Sequence, residues 1–382
     1  GWEKYSRGYW RADYPDFADF FIRNVHNEPH STKQIEDAIA WASETSGEVL
    51  VATMDAPGDD DLAWTEADFG KVHCPVLLIH GDDDIISPPA MSERLAELTG
   101  GTLVRIPGAG HAPHGRFPAL VNVTVRDFLA EHLHTFTPDR RRRTSGRKKV
   151  LYLSSPIGLG HARRDLAISH ELRAISPDCE IDWLAQDPVT RFLAANSESV
   201  HPASAALANE SSHIEAEAGE HDLNAFQAIR RMDEILVKNF MVFQEVLEQD
   251  HYDLVIADDA WDVDHYWHEH PGLKQAQIAW LTDFVGWVPM PAGGDHEAFL
   301  TADYNAEMIG HIEDNPSVRD RAIFVGNPAD IVPLDFGTGL PAMRDWIPEH
   351  FDFSGYVLGR HPDQFDSRDE LRERFGWSRS EK

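Results

Sequence analysis

Five side chains are of the types that move protons, and each follows closely on an apolar run. Asp84 ends the turn Gly81-Asp82-Asp83-Asp84 after the run Pro75–His80, and His111 follows Gly108-Ala109-Gly110 after Thr102–Ile106. His161 follows Gly158-Leu159-Gly160 after the run starting at Val150, and Asp258 and Asp259 close a run that starts at Asp253. An imidazole can take a proton from a nucleophile while a carboxylate fixes its tautomer and stabilises the imidazolium. Taken singly, Asp84 reads as a solvated acidic turn, His111 as a structural histidine and His161 as a helix cap. Gly158 and Gly160 would let the backbone approach a ligand near a helix end.

The elements that must position these residues can be read from periodicity. Residues 1–50 are rich in aromatics at near-helical spacing, and Ser31 or Thr32 opens an amphipathic helix with Ile35, Ala38, Ile39 and Ala42 on one face. Pro75–His80 reads as a strand buried on both faces, Pro88-Pro89 opens a helix ended by Gly100-Gly101, and Thr102–Ile106 is a second strand. A helix from Phe117 to about His132 follows, then the basic stretch Asp139–Lys149, which has no apolar residue. Beyond it the spacing predicts a strand at Val150, a helix from about Ala162 to Ile175, a strand Glu180–Ala185, a helix Val189–Ala195 and a short strand Val200–Ala203. One long helix is expected over Leu223–Leu247, with strands at Asp253–Trp261, Ala276–Phe284 and Ala322–Pro328. From Gly355 a last strand and a charged helix are expected. The alternation predicts an α/β protein with a parallel sheet flanked by helices. Residues 1–137 form one domain, 138–149 a solvated basic linker, and 150–382 a second domain.

The turn at Val150–Asp165 admits three readings. A dinucleotide site wants G-x-G-x-x-G, and here Arg163 stands at the third glycine position. A P-loop would need G-K-[ST], which is absent. A sugar-transfer site would need a flexible first turn, an exposed helix N-terminus and a histidine there, and all three are present. The cluster Asp262, Asp264, His265, His268 and His270 invites a metal reading, but H-E-x-x-H is missing and a solvated helix end is the favoured interpretation. No metal and no bound cofactor is expected. The nucleophile elbow G-x-S-x-G occurs nowhere in the chain.

The formal net charge of -31 over 382 residues disfavours nucleic acid and anionic membranes as partners. Cys74 and Cys179 each adjoin an apolar run and read as buried free thiols rather than a disulfide. No signal peptide and no membrane-spanning run is evident, so a cytoplasmic location is expected. The chain opens on Gly1 in an aromatic-rich stretch, which suggests a fragment of a longer protein.

The order strand, acidic turn, helix, strand, Gly-x-Gly-His turn, helix over Pro75–His132 resembles the C-terminal part of the α/β-hydrolase fold. That resemblance implies that Asp84 is the triad acid and His111 the general base; His114 reads as bordering the site, and Asp82 and Asp83 as helix-entry or surface acids. The nucleophile, a Ser, Asp or Cys in that resemblance, is missing here, which reads as a hydrolase part truncated at its N-terminus or a dead remnant, and the ester-like small-molecule substrate is left open. From about Lys148 to Gly359, SSPIGLGHARRD, DLVIADDAW and IFVGNP resemble the N-terminal half of B-type glycosyltransferases, a Rossmann-like doubly wound sheet. Together with DWLAQDPVT, AIRRMDEILVKNFMVF and AWLTDFVGW, these segments are similar to an actinobacterial-type fusion of the two folds. The resemblance implies a nucleotide-sugar donor as substrate, an acceptor received near Gly158 and Gly160, and His161 as its base, oriented by Asp258 or Asp259. The other readings are a catalytically silent ligand-binding or regulatory protein and an NAD-dependent enzyme.

Overall fold

The computed structural model describes residues 1–56, 65–133, 147–218, 224–359 and 366–378. Most of the predicted basic linker therefore lies outside the described residues. Its last member, Lys149, is already the first residue of a strand, where its ammonium pairs with Asp250 at 2.9 Å and Asp182 at 3.0 Å.

The chain begins with helices Arg7–Ala12, Tyr14–Val25, Thr32–Ala42 and Gly47–Asp55. Trp10, Phe17 and Val51 form their small core, and Phe17 stacks on Phe21 at 5.7 Å. Asp13 caps the second helix and Ser46 the fourth by accepting a backbone N–H. The aromatic-rich opening is thus helical, with Trp10 and Phe17 in the core while Trp2 and Tyr5 stay exposed.

Strands β1 (Leu77–Gly81) and β2 (Thr102–Ile106) pair in parallel, Leu77 against Thr102 through Gly81 against Ile106. The connecting helix Pro89–Thr99 takes Pro88 as N-cap and ends on Gly100 in the left-handed region at φ 67. Leu77, Leu78 and Ile79 are half-buried rather than enclosed on both faces, because β2 is the single pairing partner of β1 among the described residues. Cys74 is exposed, contrary to expectation, since residues 71–75 lie on the surface ahead of β1; Cys179 is half-buried and both thiols are free.

The remaining strands form one parallel sheet: β3 (Lys149–Ser154), β4 (Glu180–Ala185), β5 (Ser199–Val200), β6 (Leu254–Asp258), β7 (Gln277–Thr282), β8 (Arg321–Phe324) and β9 (Asp352–Phe353). Their spatial order is β5-β4-β3-β6-β7-β8-β9. Alternate residues serve opposite faces. Leu151, Leu153, Val255, Ala257, Ile278 and Trp280 pack toward Phe240, Phe243 and Trp267 of helices Asp233–Gln249 and Trp261–Glu269. Val150, Tyr152, Ile181, Trp183 and Ile256 pack toward Ala162, Val189 and Leu193 of helices Leu159–Ile175 and Val189–Ala195. Helices on both faces explain why these strands read as near-continuous apolar runs. Among the described residues no helix is long and apolar enough to cross a membrane.

Three predicted elements differ. The helix over Leu223–Leu247 is two helices, Ala225–Arg230 and Asp233–Gln249, broken at Arg231-Met232 with Met232 fully buried. The strand at Val200–Ala203 stops at Val200, where Pro202 opens a 3-10 turn. Among the described residues no strand forms after Gly355, where Tyr356 and Leu358 stay exposed, while the charged helix Arg368–Phe375 is present.

Candidate functional site

The first candidate pair forms where β1 and β2 end side by side. Gly81 lies so close to the next turn that a Cβ there would stand 2.2 Å from the carbonyl oxygens of Ala109 and Gly110. That contact lets the Asp83 N–H donate to Ala109 O at 2.9 Å and brings the two turns together. His111 Nδ1 meets Asp84 Oδ2 at 3.0 Å, and Asp84 Oδ1 accepts the N–H groups of Ile86 at 2.8 Å and Ser87 at 2.9 Å. Burial pushes the Asp84 carboxyl up, but those amides and His111 outweigh it and hold it below the usual carboxylate range. The His111 ring is partly exposed, and among the described residues its Nε2 has no hydrogen-bond partner. One imidazole nitrogen is thus fixed on a carboxylate and the other is free to accept a proton. The sequence reading missed His80, whose Nε2 lies 3.3 Å from Asp84 Oδ2 and whose Nδ1 meets Ser92 Oγ at 2.8 Å; its place four residues before Asp84 was the available signal. The helical segment braces the turn, with Gly110 N–H donating to buried Glu28 at 2.6 Å and His111 N–H to Val25 O at 3.2 Å. Asp82 is a surface acid paired with Arg105 at 2.5 Å. His114 lines a large cavity further along the chain's fold.

The second candidate pair sits at the reversal of strand order. Chain connections run outward from β3 toward β5 and from β6 toward β9, so a crevice opens beyond the C-terminal ends of adjacent β3 and β6, where open α/β sheets bind ligands. Gly158, at φ 89, starts the helix at Leu159, two residues before His161. Gly160 lies in its first turn with nothing within 4 Å of where a Cβ would be. His161 Nδ1 meets Asp258 Oδ2 at 2.9 Å, and Asp259 Oδ2 lies 3.7 Å away. Asp258 is fully buried at the end of β6, and Arg164 also binds it while reaching Asp283 at 2.9 Å. Burial works against charge on the His161 imidazole, but the hydrogen bond and charge of Asp258, aided by Asp259, raise its pKa above the usual histidine value. Asp259 is held in the left-handed region at φ 47, a strained conformation for a non-glycine residue. Burial, then the neighbouring Asp258, pushes its carboxyl up to about 7, and among the described residues its Oδ1 has no hydrogen-bond partner. Beneath them Asp165 accepts from Tyr152 at 3.0 Å and Ser154 at 2.5 Å, a support that sequence reading did not identify.

Ligand atoms of His161, Asp258 and Asp259 lie within 4.8 Å of one another, the one such group among the described residues that could hold a metal ion. Arg164 already supplies a positive charge to Asp258. The expected solvated helix end at Asp262–His270 is instead largely buried. Asp264 is held well below the usual range: burial raises it, and Arg319, bound at 2.7 and 2.5 Å, outweighs that. His268 Nδ1 donates to Asp264 O at 2.7 Å, while His265 and His270 flank Glu269. The cluster is a structural network between helices, and its residues converge on no common metal-binding point.

The chain is similar to the solved structure of a glycotransferase of kitacinnamycin, at 14% identity over 59% of this chain and 55% of that one, with a TM-score of 0.35. It is also similar to that of the calicheamicin glycosyltransferase, at 13% identity over 56% and 54% of the two chains, with a TM-score of 0.34. The chain spans about 55% of the length of these two structures. No curated protein matches it. Residues 4–124, which carry Asp84 and His111, match the model described as the alpha/beta hydrolase family.

Proposed function

We propose that the chain combines two proton-transfer sites, an α/β-hydrolase site in residues 1–137 and a glycosyl-transfer acceptor site in residues 150–382, joined by the linker 138–149. The observation that carries the second assignment is His161 Nδ1 at 2.9 Å from fully buried Asp258, at the crevice between the ends of β3 and β6. In the tautomer the reaction needs, Nδ1 donates to Asp258, although Arg164 Nη2 also lies 2.8 Å from Nδ1, and Nε2 is left to accept the proton of an acceptor hydroxyl. As that oxygen bonds to the anomeric carbon of a nucleotide-sugar, the bond from carbon to the diphosphate breaks and the electron pair leaves with the nucleotide. The proton rests on Nε2, and Asp258 stabilises the imidazolium. Attack opposite the leaving group inverts the anomeric centre. Gly158 and Gly160 themselves add no side chain at the helix entrance, beside the exposed Leu159, which supports close approach of the acceptor.

In the hydrolase part, His111 Nε2 takes the proton of the nucleophile and Asp84 holds the ring, and the match of residues 4–124 supports this reading. The test is made on the polypeptide that contains this chain. Release of UDP from UDP-sugars and hydrolysis of p-nitrophenyl esters are measured for the parent, His161→Ala and His111→Ala. His161→Ala is expected to lower only the first rate, and His111→Ala only the second, each by roughly 10²–10⁴. Equal effects on both reactions, or none on either, overturn the assignments.

A further inference from the structure

A cavity of about 1040 Å³ lies between the N-terminal elements and the helices over the seven-stranded sheet, apart from both proton-transfer pairs. Its volume is at the upper end of small-molecule sites, and such sites favour junctions between folding units. One wall is helix Pro118–Leu133, which presents Val125 and Leu129, both more than a third exposed. A second, neighbouring wall is helix Asp233–Gln249, whose Val237 and Met241 line the cavity together with Trp287 and Met308. Polar groups on the lining are mostly committed: Glu307 to Arg116, Asp264 to Arg319, and Asp233 to Lys33 at 3.7 Å.

Arg230 is the exception among the buried groups. It ends helix Ala225–Arg230, is 5% exposed, and binds Glu36 at 2.5 Å through one terminal nitrogen. Among the described residues its Nε and Nη2 have no hydrogen-bond partner. Arg126 Nη1 also lacks one among the described residues, whereas Lys238 on the same lining is exposed, beside the acids Glu234 and Glu245. Tyr304 stands on the same lining, edge-on to Phe226. A large apolar chamber bordered by one buried guanidinium with two unpaired nitrogens suits a molecule that is apolar along its body and anionic at one end.

We propose that this cavity binds an amphipathic organic acid, its carboxylate directed to Arg230 and its apolar body against Val237, Met241, Leu129 and Met308. The site is composite, since Glu36 and Leu129 come from the N-terminal elements and Arg230 and Val237 from the seven-stranded part. Neither His111 nor His161 takes part, so the proposal stands or falls independently of the function proposed above.

Calorimetric titration of the 382-residue chain with decanoate, decanol and decyltrimethylammonium, each below its micelle concentration, tests it. Decanoate is expected to bind about tenfold more tightly than decanol, and the cation not at all. Arg230→Gln is expected to bring decanoate to the level of decanol without changing decanol. Val237→Trp, which fills the chamber, is expected to abolish both; Met241→Trp replaces it if circular dichroism shows that Val237→Trp does not fold. If Arg230→Gln does not fold, Tyr304→Phe is expected to weaken decanoate selectively. Equal affinity for acid and alcohol, an unchanged affinity in Arg230→Gln, binding that survives filling of the chamber, or no binding of decanoate overturns the proposal.

Discussion

The His161 imidazole is charged more readily than a free histidine because Asp258, at 2.9 Å, outweighs the penalty of burial. A base works when neutral, so any rate that depends on His161 rises with pH through this raised pKa. Asp258→Asn removes the raising interaction, so the rising limb is expected to move to lower pH as the maximal rate falls. A pH–rate profile checks this, and a limb that stays in place counts against the pairing. The same shift links to stability. A histidine whose folded pKa lies above its unfolded value, about 6.5, contributes stability fully present below that value and lost as pH rises through the raised one. Asp84 has the opposite sign: its contribution is present above an unfolded pKa of about 3.9 and is lost as pH falls through the lowered folded value. Asp259 is an acid with a raised pKa, so the folded state is penalised progressively as pH climbs from about 3.9 through about 7. Asp259→Asn is therefore expected to stabilise the protein more at pH ~8 than at pH ~4. Urea midpoints at the two pH values measure the difference, and an equal effect at both contradicts the assignment.

At the scale of elements, both pairs depend on where strands end. The Asp84–His111 contact needs the β1 and β2 turns in van der Waals contact, which Gly81 alone permits. Gly81→Ala would place a methyl 2.2 Å from two carbonyl oxygens, so the turns must separate. The expected cost is about 1–3 kcal/mol, together with loss of the 3.0 Å hydrogen bond, seen as a lower melting temperature and a changed His111 NMR titration. Much of this layer was legible from the residues. Thr102–Ile106, Glu180–Ala185 and Val189–Ala195 occur with the boundaries their apolar runs suggest, because flanking glycines and prolines punctuate them. The break at Arg231-Met232 was not legible, since the apolar phase of Phe226, Met232 and Phe240 continues across it and no glycine or proline marks it. The pair of Asp84 and His111 lies on consecutive strands, so sequence order nearly dictates its contact. His161 and Asp258 are 97 residues apart and meet because β6 returns beside β3, a matter of sheet order that local pattern does not encode. His80, Arg164 and the burial of Asp262–His270 depend on side chains crossing between elements, which leaves no local periodicity to read.

At the scale of the molecule, the N-terminal elements and the seven-stranded part are joined by buried charge. Arg116, five residues after His111, is 8% exposed, donates to Glu269 at 2.6 Å and also binds Glu307. His30 meets Asp303 at 2.8 Å and Arg230 meets Glu36 at 2.5 Å across the same junction. Burial pushes the Glu269 carboxyl up, but His270, His265 and Arg116 overcome this and hold it low, so it is ionised and depends on those neighbours. An ion pair of this kind adds little net stability over apolar packing, yet removing one member leaves the others buried and uncompensated, at about 3–5 kcal/mol. Arg116→Ala is therefore expected to destabilise the junction more than either strand layer. With a formal net charge of -31, repulsion across the junction acts against docking once the pair is gone. That repulsion is screened by salt, whereas the buried pair is not. Differential scanning calorimetry of Arg116→Ala at low salt should therefore resolve two transitions where the parent shows one, and added salt should draw them back together. In Arg116→Met with Glu269→Gln and Glu307→Gln, the stranded charges are gone, so much of the lost stability should return. If Arg116→Ala melts as a single transition at the parent temperature, the buried charge does not hold the two parts together.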